Sequence, residues 1–158
     1  MNSKYNEKII SQYNTLSASA DELYQFVVRY AEYINQAKDY GNGILISMVE
    51  VHTLTMIDNN PGVTVSNLAK MWNRTKGTVS LNVKKLEKRG LIYRRLENGN
   101  KKTVHLYCTE SGKELSMLHM QYDIQNIEQT QKQLLVNCSA NEVEAFYKVL
   151  HHYNKLFD

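Results

Sequence analysis

Between Lys70 and Lys102 the chain sets eleven basic residues against two acids, Glu87 and Glu97, a net charge of +9. The remaining residues carry eight basic and fourteen acidic groups, a net −6, so the overall +3 conceals a basic centre between acidic ends. Ammonium and guanidinium groups at this density suit a polyanion. A solvated charged face without a partner has the same composition, so charge alone leaves both readings open. The stretch NRTKGTVSLNVKKLEKRG (73–90) concentrates the signal, with Arg74, Lys76, Lys84, Lys85, Lys88 and Arg89 against Glu87.

Other chemistries find little footing. No GxSxG, P-loop or HExxH pattern occurs, so catalysis is not expected. Cys108 and Cys138 stand far apart without metal-like spacing, which fits unpaired thiols in a reducing cytoplasm. The five histidines, His52, His105, His119, His151 and His152, are dispersed, and only His119 has a ligand-type residue four positions on, Asp123. Neither a metal site nor a cofactor is expected from this spacing. No 18-residue apolar run marks a membrane span, and MNSKYNEKII lacks the apolar core of a signal peptide. The 158 residues suit one domain, or one module with helical extensions.

The elements that must position the basic centre follow from periodicity. Leu23, Phe26, Val27, Tyr30 and Ile34 recur at helical steps and predict a helix over 20–40, with either an extension or a short preceding helix around Ile9 and Ile10. Gly41-Asn42-Gly43 should break it, and a second helix should run from Ile44 to Ile57. Asn59-Asn60-Pro61-Gly62 reads as a turn. Two short helices come next. Thr64 or Ser66 caps the first, with Val65, Leu68, Ala69 and Trp72 on its apolar side, and Thr75 caps the second. In that second helix Val79, Val83 and Leu86 make a narrow apolar stripe ended by Gly90, with Gly77, Leu81, Lys84, Lys85 and Lys88 broadly opposite. LIYRRL (91–96) and TVHLYCT (103–109) read as a hairpin around the charged loop ENGNKK. Thr109 should cap a long helix to about Val136, burying Leu115, Leu118, Tyr122, Ile127, Leu134 and Leu135. Ser139 to Glu142 forms a capping box that opens a last helix through Leu156, striped by Val143, Phe146, Tyr147, Leu150 and Tyr153.

Two helices joined by a short turn, the second basic, followed by a two-stranded wing, give a winged helix-turn-helix. The fold class is therefore mainly α with a small β-hairpin wing. Helices of this kind enter the major groove by their N-terminal end, which puts Thr75, Lys76, Gly77, Thr78, Ser80 and Leu81 nearest base edges. Leu81, apolar on the exposed side, either meets a thymine methyl or packs on a neighbouring helix. Arg74, Lys84, Lys85, Lys88, Arg94, Lys101 and Lys102 would supply phosphate or wing contacts.

The run VTVSNLAKMWNRTKGTVSLNVKKLEKRGLIYRR, then the wing, then LYCTESGKEL, resembles the multiple-antibiotic-resistance regulator (MarR) type of winged-helix transcription factor. The resemblance implies a cytoplasmic regulator, most often a repressor, that binds pseudo-palindromic double-stranded DNA as a homodimer and answers to a small effector. It implies that 1–42 and 110–158 are dimerisation helices flanking a DNA-binding lobe at 43–109. Where the family's wing usually carries Asp-Arg-Arg, this chain has Asn100, Lys101 and Lys102, which keep the charge but lack the planar fork of arginine. Glu50-Val51-His52-Thr53, Gly77-Thr78-Val79 and Val104-His105-Leu106 are similar to the fatty-acid-synthesis repressors of the family and imply an acyl-linked effector. No cysteine precedes Cys108, so the peroxide-sensing cysteine of some relatives has no counterpart. From other classes, a winged-helix protein-interaction module and a small-molecule-binding protein or enzyme stand as rivals. Duplex binding that weakens with salt separates them from a DNA-binding regulator.

Overall fold

Serine and threonine hydroxyls punctuate the chain and decide where most of its helices begin. The computed structural model describes residues 3–96 and 103–157. In it α1 spans Ser3–Asn35, and a small antiparallel pair follows, β1 (Ala37–Asp39) with β2 (Leu45–Ser47). Then come α2 (Met48–Asn59), α3 (Val65–Met71), α4 (Lys76–Lys88), the hairpin strands β3 (Ile92–Leu96) and β4 (Val104–Cys108), α5 (Glu110–Asn137) and α6 (Ala140–Asn154), closed by a 3-10 turn at Lys155–Phe157. Thr64, Thr75 and Thr109 cap α3, α4 and α5, each accepting from the amide three residues on. Ser139 makes the expected box with Glu142.

Two expectations change in the first fifty residues. Of the two alternatives for the first residues the extension holds, one helix running from Ser3, but it stops at Asn35 instead of reaching Tyr40. Gly41-Asn42-Gly43 is not a break between helices but the turn of the β1–β2 hairpin. The Asp39 carboxylate accepts from the amides of Gly41 (2.8 Å), Asn42 (3.1 Å) and Gly43 (2.9 Å), which also holds that acid below its usual range. Leu45–Ser47, read as the start of the second helix, is instead a strand, because Ser47 forms a capping box with Glu50 and starts α2 at Met48.

The core is built where α2, α3, α4, the hairpin and the first half of α5 meet. Val51, Leu54, Ile57, Val83, Leu86, Leu106 and Leu115 are fully buried there. The turn between α3 and α4 passes through Asn73 at φ +47°, a left-handed position that asparagine tolerates. β3 and β4 pair in register from Ile92↔Cys108 to Leu96↔Val104, and Val63 bridges to Leu106, with backbone bonds of 2.9 Å (Gly62 to Leu106) and 3.0 Å (Leu106 to Val63). α5 crosses the lobe at Gly112, where an added Cβ would lie 2.0 Å from the Leu91 carbonyl oxygen.

Outside this lobe the apolar stripes lie open. Ile127, Leu134 and Leu135, expected to be buried, are exposed, and α6 buries none of its residues. Among the described residues nothing covers them. Among the described residues no helix is long and apolar enough to cross a membrane.

Candidate nucleic-acid interface

α4 turns its two faces to different tasks. Val79, Val83 and Leu86 anchor it in the core, and at 100° per residue this leaves Gly77, Leu81, Lys84 and Lys88 on the outside. All four are exposed, and Leu81 keeps 62% of its surface open, uncovered by any of the described residues. Leu81 therefore does not pack on a neighbouring helix of its own chain. Arg74, Thr75, Lys76 and Thr78 are exposed around the helix start, and Ser80 is half-buried. Among the described residues Lys76, Lys84 and Lys88 have no acidic partner.

The α4 N-terminus is set by Thr75, whose hydroxyl accepts from the Thr78 amide at 3.2 Å and meets the Thr78 hydroxyl at 2.9 Å. The first turn offers free N–H groups and the positive end of the helix dipole. Gly77 has an ordinary backbone and open space, with only Thr75 Oγ1 within contact of an added Cβ at 3.8 Å. The fold itself therefore does not require glycine there.

Two of the expected contact residues are tied within the chain. Lys85 lies on the flank of α4 and pairs with Glu50 on α2, Nζ to Oε1 at 3.1 Å. Arg89 approaches the same carboxylate at 3.8 Å and donates to the Leu45 carbonyl. Burial opposes the charge on Glu50, but Lys85 and the Ser47 amide outweigh it and hold the carboxyl below its usual range. Arg94 on β3 donates from Nε to Glu87 Oε2 at 2.9 Å, joining the wing to α4. Glu50 is a positioning residue that sequence reading missed; its Ser-x-x-Glu spacing after Ser47 was the available signal.

The wing is anchored at its base. Thr109 donates to the Gly90 carbonyl at 2.8 Å, His105 Nδ1 meets the Gly62 carbonyl at 2.7 Å, and Tyr93 stacks on Tyr107 at 5.5 Å. Lys101 and Lys102, named for the wing tip, lie outside the described residues. Cys108 is buried and its thiol is pushed up to about 12 by desolvation, as befits an inert core residue, whereas Cys138 is exposed.

Sequence spacing also missed a second cluster. His52 on α2 meets His119 and Asp123 on α5, with ligand-type atoms all within 4.8 Å of one another. The i, i+4 pair was visible, but the third member lies on another helix.

Residues 46–104 match the model of the MarR family. The chain is 35% identical over 84 residues to an uncharacterized HTH-type transcriptional regulator, YhjH, of Bacillus subtilis (strain 168), a stretch covering 53% of this chain and 48% of that protein. The match thus spans about half the length of the curated relative. Among solved structures, Streptococcus pneumoniae FabT in complex with DNA superposes with a TM-score of 0.64 at 25% identity, covering 92% of this chain and 96% of that one. The S. aureus MepR–DNA complex gives a TM-score of 0.61 at 22% identity, covering 100% and 99%.

Proposed function

We propose that this chain is a MarR-type, cytoplasmic DNA-binding transcriptional regulator that represses by gripping a pseudo-palindromic duplex as a homodimer. The observation that carries the reading is the outer face of α4, where Lys84 and Lys88 flank an uncovered Leu81 and Lys76 stands at the capped N-terminus. A helix held by its apolar stripe, with cations and an open first turn outward, is shaped for a major groove. Thr75, Lys76, Gly77, Thr78, Ser80 and Leu81 approach base edges in this reading. Arg74, Lys84, Lys88 and the wing lysines Lys101 and Lys102 neutralise phosphates. Lys85 and Arg94 act chiefly through their partners Glu50 and Glu87, which hold α4 and the wing in register.

Residues 43–109 form the DNA-binding lobe, and 1–42 with 110–158 form the dimer region. The uncovered apolar faces of α1, distal α5 and α6 support this division. Half-sites then fall about 10 bp apart. A small effector that disfavours the bound arrangement would release the duplex, and no catalytic step is part of the reading.

Selection of bound sequences from a random duplex pool, followed by titration across salt concentrations, tests it. A two-fold symmetric site should emerge. Replacing Lys84 and Lys88 by alanine should weaken every sequence and lower the log–log salt slope by about two, one for each phosphate no longer neutralised. A chain that retards no duplex even at low salt is a protein-interaction module or ligand binder instead.

A further inference from the structure

Where α2 passes under α5, two imidazoles and a carboxylate converge. His52 Nε2 lies 3.4 Å from Asp123 Oδ2, and His119 Nε2 lies 3.2 Å from the same oxygen. Both nitrogens are buried, yet neither makes a hydrogen bond, so the short distances are not those of aligned donors and acceptors. We propose that His52, His119 and Asp123 bind one divalent transition-metal ion of the zinc class, through the two Nε2 atoms and Oδ2, and so pin α2 to α5.

Four observations support the site. First, ligands held 2.0–2.1 Å from a tetrahedral ion stand about 3.3 Å apart, and the two measured edges are 3.4 and 3.2 Å. Ligand-type atoms of all three residues lie within 4.8 Å of one another, so one ion can reach the three together. Second, His119 Nδ1 lies 3.1 Å from Thr55 Oγ1, and with Nδ1 as the donor this is the outer hydrogen bond that orients a ligand histidine and leaves Nε2 free for an ion. Third, buried polar atoms without partners are costly, and His119 is only 3% exposed, so a cation between the three groups satisfies atoms that the fold leaves open. Fourth, ring packing holds the ligands in place. Tyr40 and His52 meet His119 edge-on at 5.2 and 4.7 Å, and Trp72 meets His52 at 6.2 Å. The His52 side chain is 39% exposed, which gives an ion a path in from solvent.

The donor chemistry sets the class of ion. Two imidazoles and one carboxylate suit zinc and its first-row neighbours, not calcium or magnesium, which favour all-oxygen shells. Three protein ligands leave a fourth position for water. Trp72 closes α3 immediately before the turn into α4, so the site borders the lobe's helix-turn-helix as well as α5.

The test uses the full chain stripped with a chelator and dialysed. Zinc is titrated in competition with a chromophoric chelator, and cobalt(II) is added separately for its visible absorption. One equivalent of zinc per chain, and cobalt bands of four-coordinate intensity, are expected. His52→Ala and Asp123→Asn, both at partly exposed side chains and checked for folding by circular dichroism, should each lose more than about 100-fold in zinc affinity, beyond what loss of an outer-shell partner brings. Zinc should raise the melting temperature of the parent chain and not that of the variants. No zinc uptake by the parent chain, or uptake equally tight in both variants, overturns the site. The titration needs no DNA, so its outcome is independent of the reading of α4.

Discussion

At the scale of single residues, Glu50 does the most with one side chain. It closes the capping box on α2 and gathers Lys85 and Arg89 from α4 and its C-cap. Glu50→Gln keeps the shape but removes the charge, so the variant should lose about 1–2 kcal/mol of stability near neutral pH. The direction of the pH dependence follows from the depressed carboxyl. The unfolded chain takes up the proton first, near the ordinary value of about 4.3, so the stabilisation is complete above that pH. It is lost as pH falls through the lower folded value. Urea melts at pH 7 and pH 3 should therefore show the gap between parent and variant narrowing in acid. A gap that widens in acid would contradict the assignment. Glu50 was legible as chemistry only in part. Ser-x-x-Glu marks a box in any helix start, but the two cations it faces are 35 and 39 positions away in the chain.

Among the elements, the join between α5 and the lobe has the least room to change. Gly112 lies in the first turn of α5 beneath the Leu91 carbonyl, whose oxygen also accepts from the Thr109 amide at 3.0 Å. Gly112→Ala gains about 1 kcal/mol of helix propensity on an open surface. Here the 2.0 Å overlap should reverse that sign and cost about 1–3 kcal/mol or more, with a lower urea midpoint. A midpoint that rises would mean that α5 can shift away without penalty. The starts of α4, α5 and α6 were legible, and that of α3 was narrowed to Thr64 or Ser66, because a cap is a local event, one hydroxyl against an amide three residues on. The β1–β2 hairpin was missed for a related reason. Its three-residue strands are too short for a periodic signal, and the Asp39 carboxylate that holds its turn looks like any surface acid.

For the molecule as a whole, the uncovered apolar surface is the dominant fact. Ile9, Tyr13, Phe26 and Tyr30 on α1, Ile127 and Leu135 on α5, and Phe146 and Tyr147 on α6 are all about half exposed or more. Exposed apolar residues in this number suit a partner surface, and a second copy satisfies them in the proposed dimer. Phe146→Asp should then give a monomer in sedimentation velocity at concentrations where the parent chain is dimeric. The parent's melting temperature should rise with protein concentration, and the variant's should not. A parent chain that sediments as a monomer throughout would remove the dimer from the reading.

The sequence by itself determined the order of the helices around the basic centre, the caps of three of them, the apolar stripe of α4 and the hairpin behind it. These rest on spacings of two to four residues, which backbone geometry converts directly into faces and ends. Only the tertiary structure decided which charges are spent inside the chain, as with Lys85 on Glu50 and Arg94 on Glu87, and which stripes stay open. It alone brought His52 to His119 and Asp123, across 67 and 71 positions of sequence. Such meetings depend on how α2 packs against α5, and that packing is fixed by the shared core, not by any local pattern.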